Sequence, residues 1–281
     1  MKKKWKIFWI VCGVFAVVGV GFCVTGVALG ANVPQAFAMI SREDKIEDCY
    51  DETFHNEDCY DETFYNIESL NLDVKLSDVY FVEGNEGEVR VTVDYSNPDS
   101  SKVYVTQDAN KLTIESKGDK KWWYKNYTED RRVITVYVPS KLMDVALDIQ
   151  MGYLSCDAIN ASEISIDVDA AQAIISSMRA RKAKIELAAG SVEAYGNIGE
   201  TTEIDCDAGE VVFHATGAKE DYDYDVDCKT GNVEIEGENY HKDHIEHHKE
   251  AHKGQDCEGK HCGRKMNVEC EAGTVSVFFN N

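Results

Sequence analysis

The sequence predicts an all-β protein: a β-solenoid of roughly 19-residue turns with an inserted hairpin region, preceded by one N-terminal transmembrane helix. Three observations carry this reading. A short phrase recurs at a fixed step in the second half of the chain. Each copy alternates apolar and polar residues. A long uncharged stretch stands close to the N-terminus.

The recurring phrase is centred on a small residue. LDIQMGYLSC (around Gly152), IDVDAAQAII (Ala171), IELAAGSVEA (Gly190) and IDCDAGEVVF (Gly209) follow one another in steps of 19 residues. VDCKTGNVEI (Gly231) comes 22 residues later and VECEAGTVSV (Gly273) 42 residues after that, so the last interval holds an insertion of about one turn's length. Apolar and polar residues alternate in each unit, and counted from the marker, positions −5, −3, −1, +2 and +4 are expected to point inward, the period-2 signature of a strand with one buried face. In the Gly190 unit these are Ile185, Leu187, Ala189, Val192 and Ala194; in the Gly273 unit they are Val268, Cys270, Ala272, Val275 and Val277. The alternation changes phase at the marker, which places a bend there, and glycine tolerates the backbone angles of a bend. One such unit cannot bury its apolar face, but a stack of them can. Ordinary antiparallel hairpins in a sandwich would not keep a constant step.

The first half carries one more unit, LDVKLSDVYF (Leu72 to Phe81), with Ser77 in the marker position. The runs EVRVTVDY, KVYVTQ with KLTIES, and RVITVYVP then read as hairpins inserted after the first turn, with the coils resuming at Leu147.

From Ile7 to Ala31 the chain has 25 residues without a charge, enough to cross about 30 Å of hydrocarbon at about 1.5 Å per residue. Lys2, Lys3, Lys4 and Lys6 precede it and belong on the cytoplasmic side, which puts the body outside. The alternative is secretion after cleavage near Ala38, where Ala36-Phe37-Ala38 offers a small-x-small site. The expected organisation is a basic tip at 1–6, an anchor at 7–31, an extracellular stalk at 32–62 and a solenoid at 63–281 interrupted by a His/Cys-rich insertion at 241–263. The stalk holds EDCYDETFHN followed at once by EDCYDETFYN, differing only at His55 and Tyr65. This is a tandem duplication whose second copy runs into the entry strand of the body. Cys49 and Cys59 could pair with each other or across a dimer on the oxidising side.

The formal net charge is −22, and because the first 40 residues carry +4 the remainder carries −26. Such a body repels nucleic acid and anionic lipid and attracts cations or basic partners.

The phrase F-x-N-I-x-x-L-x-L-x-V (Phe64, Asn66, Ile67, Leu70, Leu72, Val74), the later V-Y-V-P (Val136 to Pro139) and the repeated acid–apolar–small–Gly–apolar turns resemble the bacterial "putative adhesin" or toast-rack β-strand-repeat family, which includes LiaG-like envelope proteins. The resemblance covers about residues 63–281 apart from the insertion. It implies a Gram-positive, envelope-attached protein without assigned catalysis, with some relatives linked to envelope stress responses.

Four sets of residues are candidates for function. Outward position −4 is acidic in every unit: Asp148, Asp167, Glu186, Asp205, Asp227 and Glu269, with Asp73 in the early turn. Such a ladder is either a strip for Ca²⁺, which takes several carboxylate oxygens, or a solvated face that keeps strands from aggregating. The insertion carries His241, His244, His247, His248, His252, Cys257, His261 and Cys262. Imidazole and thiolate are ligands for Zn²⁺, Cu or Ni, and a short helix would align His244, His248 and His252 on one face. Its alternative is a solvated loop with a Cys257–Cys262 disulfide. The loop KGDKKWWYKNYTEDRR sets Trp122, Trp123, Tyr124 and Tyr127 among lysines and arginines, either to grip cell-wall polymer or headgroups or to cap the open end of the solenoid. Finally, Cys206, Cys228 and Cys270 share inward position −3 and Cys156 lies at +4; all read as small buried hydrophobes, with a disulfide between stacked turns as the alternative. No nucleophile–base grouping, P-loop or dinucleotide fingerprint is present. The function expected is therefore a non-catalytic, membrane-anchored extracellular scaffold of adhesin type, its partners the membrane and a wall polymer or envelope protein. The alternative is a metal sensor or buffer using Zn or Ca.

Overall fold

The computed structural model describes residues 59–95, 102–116, 132–240 and 264–280, with the backbone of 244–247. They lie in one compact unit, Phe54–Asn281. The anchor expected at 7–31, the first decapeptide copy, the loop at 117–131 and most of the His/Cys insertion fall outside the described residues. Among the described residues no helix is long and apolar enough to cross a membrane.

The protein is all-β, as its alternation requires. In chain order the strands are β1 (Cys59–Tyr65), β2 (Ser69–Val74), β3 (Ser77–Glu83), β4 (Glu88–Tyr95), β5 (Val103–Asp108), β6 (Lys111–Ser116), β7 (Arg132–Val138), β8 (Asp144–Cys156), β9 (Ile159–Asn160), β10 (Glu163–Cys206), β11 (Glu210–Thr216), β12 (Tyr222–Cys228), β13 (Asn232–Ile235), β14 (Glu238–Tyr240), β15 (His244–His247), β16 (Arg264–Cys270) and β17 (Thr274–Asn280). A 3-10 turn, Lys219–Asp221, joins β11 to β12. β10 is long because it runs extended through its corners, lap after lap. One coil is a strand, a corner at the marker, and a second strand. A short third side begins at β9, which pairs with Met178 and Arg179 one lap on.

The coils do not stack in the order in which they are written. β2–β3 lies between β6–β7 on one side and β8 on the other, parallel to both. β8 pairs with the first lap of β10. At the far end, the last lap of β10 and β11 pair with β16 and β17, and these pair in turn with β12 and β13. Both the first and the last coil of the sequence are therefore one layer in from the end of the stack. This corrects the expectation of hairpins inserted after the first turn: β6 and β7 make a full parallel coil, and only β4 and β5 fold back.

Among the described residues, the two long sides of the stack finish at each end in antiparallel strands. β5 covers β6, β4 and then β1 cover β7, β15 covers β12, and β14 covers β13. An uncapped end coil would show a row of unpaired N–H and C=O groups, the template for edge-to-edge aggregation. β1 is thus a capping strand and not the entry strand of the first coil, and it begins at Cys59, ahead of the boundary expected at Thr63. It is held by buried Phe64 and by a bidentate contact from Arg90 to Asp61.

Inside, like positions form columns. Position −5 stacks Leu72, Leu147, Ile166, Ile185, Ile204, Val268 and Val226, each at most 2% exposed. Position −1 is corrected: Ala189 and Ala272 are exposed, as are Ala170 and Ala208. The phase change falls just before the marker, where Asp207 N–H and Ala208 N–H donate to the carbonyls of Leu187 and Ala188 one coil back. Gly152 and Gly190 have φ of +134° and +117°, and a Cβ there would stand 2.0 Å from the carbonyl oxygen of Ser77 and Ala171. These two corners need glycine for both conformation and room.

Candidate functional site: the carboxylate face

Residues at even offsets before the marker point outward from the face formed by β6, β2, β8, the laps of β10, β16 and β12. Parallel pairing puts equal offsets side by side, so each offset becomes a ladder across the stack. At −4 the order is Glu115, Asp73, Asp148, Asp167, Glu186, Asp205, Glu269 and Asp227, fixed by the pairings Asp73–Glu115, Asp73–Asp148, Asp148–Asp167, Asp205–Glu269 and Glu269–Asp227. The ladder continues one coil further than the repeats suggested. Glu115 was missed because KLTIES reads as a hairpin strand and carries no marker residue of its own.

Neighbouring carboxylates about 4.8 Å apart repel, and the lower dielectric of a protein surface strengthens that repulsion. The Asp148 carboxyl is pushed up to about 6, first by burial and then by Asp73, Asp167 and Asp169, with Lys75 opposing. Asp167 and Asp205 are raised in the same way, by burial and then by Glu186 and Glu269 respectively. Besides Lys75, three lysines relieve the face locally. Lys184 lies 2.8 Å from Glu186, Lys182 lies 3.2 Å from Glu163, and Lys229 bonds Glu271 across two coils. The ladder carboxylates form a line, one per coil. Among the described residues no group of three or more His, Cys, Asp or Glu side chains comes together to hold a metal ion.

Beside the ladder, the −8 and −6 columns form a shallow groove of about 650 Å³. Its floor is made of small outward residues, Ser69, Asn71, Ala146 and Ser165, and its rim carries Lys111, Lys182 and Lys184 against Asp144, Glu163 and Glu203. No single chemistry repeats along these columns, so the sequence held no signal for the groove. It appears only when coils of different composition are stacked.

The remaining candidates are placed as follows. Trp122, Trp123, Tyr124 and Tyr127 lie outside the described residues, but β6 and β7, which flank them, form the outermost coil at their end. His241, His248, His252, Cys257, His261 and Cys262 also lie outside. His244 and His247 lie on strand β15, so the helix expected to align His244, His248 and His252 does not start there. The pairing of β15 with β12 favours extended backbone over a helix and sets His244 opposite Asp227, the last rung of the ladder. Cys156, Cys206, Cys228 and Cys270 are buried with free thiols, and Cys59 is exposed, its thiol donating to Asp94 at 3.1 Å.

A parallel stack of short coils with capped ends and a charged ladder along one face defines a toast-rack β-repeat protein. The sequence profile of the Toastrack DUF4097 family matches residues 67–244, more than half the chain, and the chain belongs to that family. The resemblance read from the F-x-N-I phrase and the turns is borne out. The match ends before β16, so the intercalated last coil lies beyond it. Among solved structures, the chain is similar to a "putative cell adhesion protein" of Clostridium sporogenes at 16% identity and a TM-score of 0.47, covering 79% of this chain and 100% of that one. It is also similar to a "putative adhesin" of Parabacteroides distasonis at 13% identity and a TM-score of 0.34, covering 78% and 96% of the two chains. A third, from Parabacteroides merdae, shares 11% identity with a TM-score of 0.30, covering 80% and 98%. No curated protein sequence matches the chain.

Proposed function

We propose that the protein is a non-catalytic, membrane-anchored extracellular scaffold of adhesin type. It presents the carboxylate face to cationic groups on a cell-wall polymer or an envelope protein, in an envelope or envelope-stress setting. The observation that carries this reading is the unbroken −4 ladder of eight carboxylates across eight coils. A linear array of one sign suits an extended partner of the opposite sign, and its attraction falls as salt rises. The test is retention of the full chain on immobilised cell-wall polymer at low and high salt, beside a variant carrying Asp148→Asn, Asp167→Asn and Asp205→Asn. Salt-sensitive retention that the variant loses supports the ladder; equal retention of both proteins sinks it. Anchoring is tested by fractionation, where the chain follows the membrane only while residues 7–31 are present.

One observation favours a second reading, extracellular metal binding: the register of His244 against Asp227 joins the His/Cys insertion to the end of the ladder. Calorimetric titration with Zn²⁺ and with Ca²⁺, with and without residues 241–263, separates the two. Zinc heat lost with the insertion supports it, and no heat from either metal removes it.

A further inference from the structure

Interior column −3 departs from aliphatic side chains in three neighbouring coils. Val74, Ile149, Val168 and Leu187 occupy it first; then come Cys206, Cys270 and Cys228, each at most 2% exposed. Cys206 is in parallel register with Cys270, and Cys270 with Cys228. Cys270 belongs to the last coil, which is wedged between the other two, so it sits between partners that precede it by 64 and 42 residues. Room for the sulfurs comes from glycine in the adjoining corner. A Cβ on Gly273 would lie 2.5 Å from Cys206 Sγ, and a Cβ on Gly231 would lie 2.5 Å from Cys270 Sγ. Cys206 Sγ thus leans into the corner of the coil that holds Cys270, and the Cys270 thiol faces the Asn232 carbonyl, 3.9 Å away.

We propose that Cys270 is a cross-linking residue that forms a disulfide with Cys206, fastening the intercalated C-terminal coil into the stack. In-register neighbours on parallel strands stand about 4.8 Å apart, inside the Cα separation of about 4.4–6.8 Å that a disulfide spans. The oxidant is a small disulfide, R–S–S–R. The Cys270 thiolate attacks one of its sulfurs, and RS⁻ leaves and takes up the proton Cys270 gave up. The Cys206 thiolate then attacks the Cys270 sulfur, the protein S–S bond forms, and the second RS⁻ leaves with the other proton. Two protein thiols are oxidised and one small disulfide is reduced to two thiols.

Timing follows from burial. In the folded stack burial pushes the Cys270 thiol up to about 11 and raises Cys206 as well, which starves the exchange of thiolate. The bond therefore forms while the last coil is seating, and once formed it is shielded from reductant. It adds a covalent tie to the strand pairing and buried side chains that hold the coil in its place between β10 and β12.

The test is refolding of the reduced full chain with oxidised glutathione, followed by non-reducing peptide mapping and thermal unfolding. The expected result is a linked pair containing Cys206 and Cys270 and a midpoint about 5–10 °C above that of the reduced protein. Cys270→Val and Cys206→Val should each abolish the difference while keeping an apolar side chain in the column, and Cys228→Val should retain it. Folded, oxidised protein with Cys270 still a thiol overturns the proposal, as does Cys270 linked to Cys228 or to a cysteine of the insertion.

Discussion

Val268 stands beside Ile204 in parallel register, although the whole β12–β13 coil lies between them in the chain. On its far side Val268 meets Val226 of that same coil. The last strands of the protein are thus an internal layer. β12 and β13 must be laid down one layer away from β10 and β11, leaving a slot that β16 and β17 fill.

Deleting residues 264–281 should therefore do more than shorten the stack. It removes the parallel neighbours of both β12 and β13 and leaves them only the short antiparallel strands β15 and β14. Hydrogen exchange of the truncated chain should show amides 222–235 unprotected while those of β8 stay protected. Retained protection at 222–235 would mean that the coil had closed onto β10 without its wedge.

Two glycine substitutions should differ sharply. Gly190→Ala meets both a φ of +117° and a carbonyl oxygen 2.0 Å from the new Cβ, so the corner must move; a loss of at least about 3 kcal/mol is expected in urea unfolding. Gly237→Ala meets a φ of +80° but nothing within 4 Å, and should lose only about 1 kcal/mol. Equal losses would show that the close approach at Ala171 relaxes freely.

Thr202 lies at inward position −7, 1% exposed, with its Oγ1 buried and unbonded. The neighbouring coils place Ala183 and Met266 there, and coils further along the stack place Leu70, Val145 and Ile164. Thr202→Val keeps the shape and removes the unsatisfied hydroxyl, so it should stabilise the fold by about 1 kcal/mol. A destabilised variant would reveal a partner for the hydroxyl.

Acid should strengthen the stack before it weakens it. Asp148 titrates near 6 in the folded state against a usual value of 3.8, and Asp167 and Asp205 are raised as well. Over that window the folded state holds more protons than the unfolded one, so stability grows as pH falls through 6 and is lost as pH rises through it. Asp61 works in the opposite sense. The Arg90 hydrogen bond holds its carboxyl below the usual value, so its contribution is present at neutral pH and is lost as pH falls through the folded value. The melting temperature should rise as pH falls from 8 through the folded value of about 6, and turn over only below the usual carboxylate value of 3.8, where the Asp61 contribution is lost. Asp148→Asn should flatten the rise and add about 0.5 kcal/mol at pH 8 at low salt, because the group is half-exposed and screened. A melting temperature that falls from pH 8 to 5.5 would refute the ladder's repulsion.

Much of the face was legible in the sequence. Asp148, Asp167, Glu186 and Asp205 recur at one offset from a marker that recurs every 19 residues, and period-2 geometry then forces them to one side. The exposed Ala189 shows where such reading fails: alanine fits either side of a corner, so only the backbone hydrogen bonds from Asp207 and Ala208 locate the bend. Glu115 failed for another reason, since β6 joins the ladder by pairing with β2 and not by resembling it.

By itself, then, the sequence determined the all-β class, the repeat step, the interior columns at −5 and −3 and the acids at −4. All of these follow from residues close together in the chain, because alternation and corner chemistry are local. Only the tertiary structure decided which coil lies beside which. Val226 and Val268 present the same side chain at the same offset, so either would pair with Ile204 equally well by local rules. Which one does so depends on which layer the chain leaves open and on the length of the connection that returns to fill it.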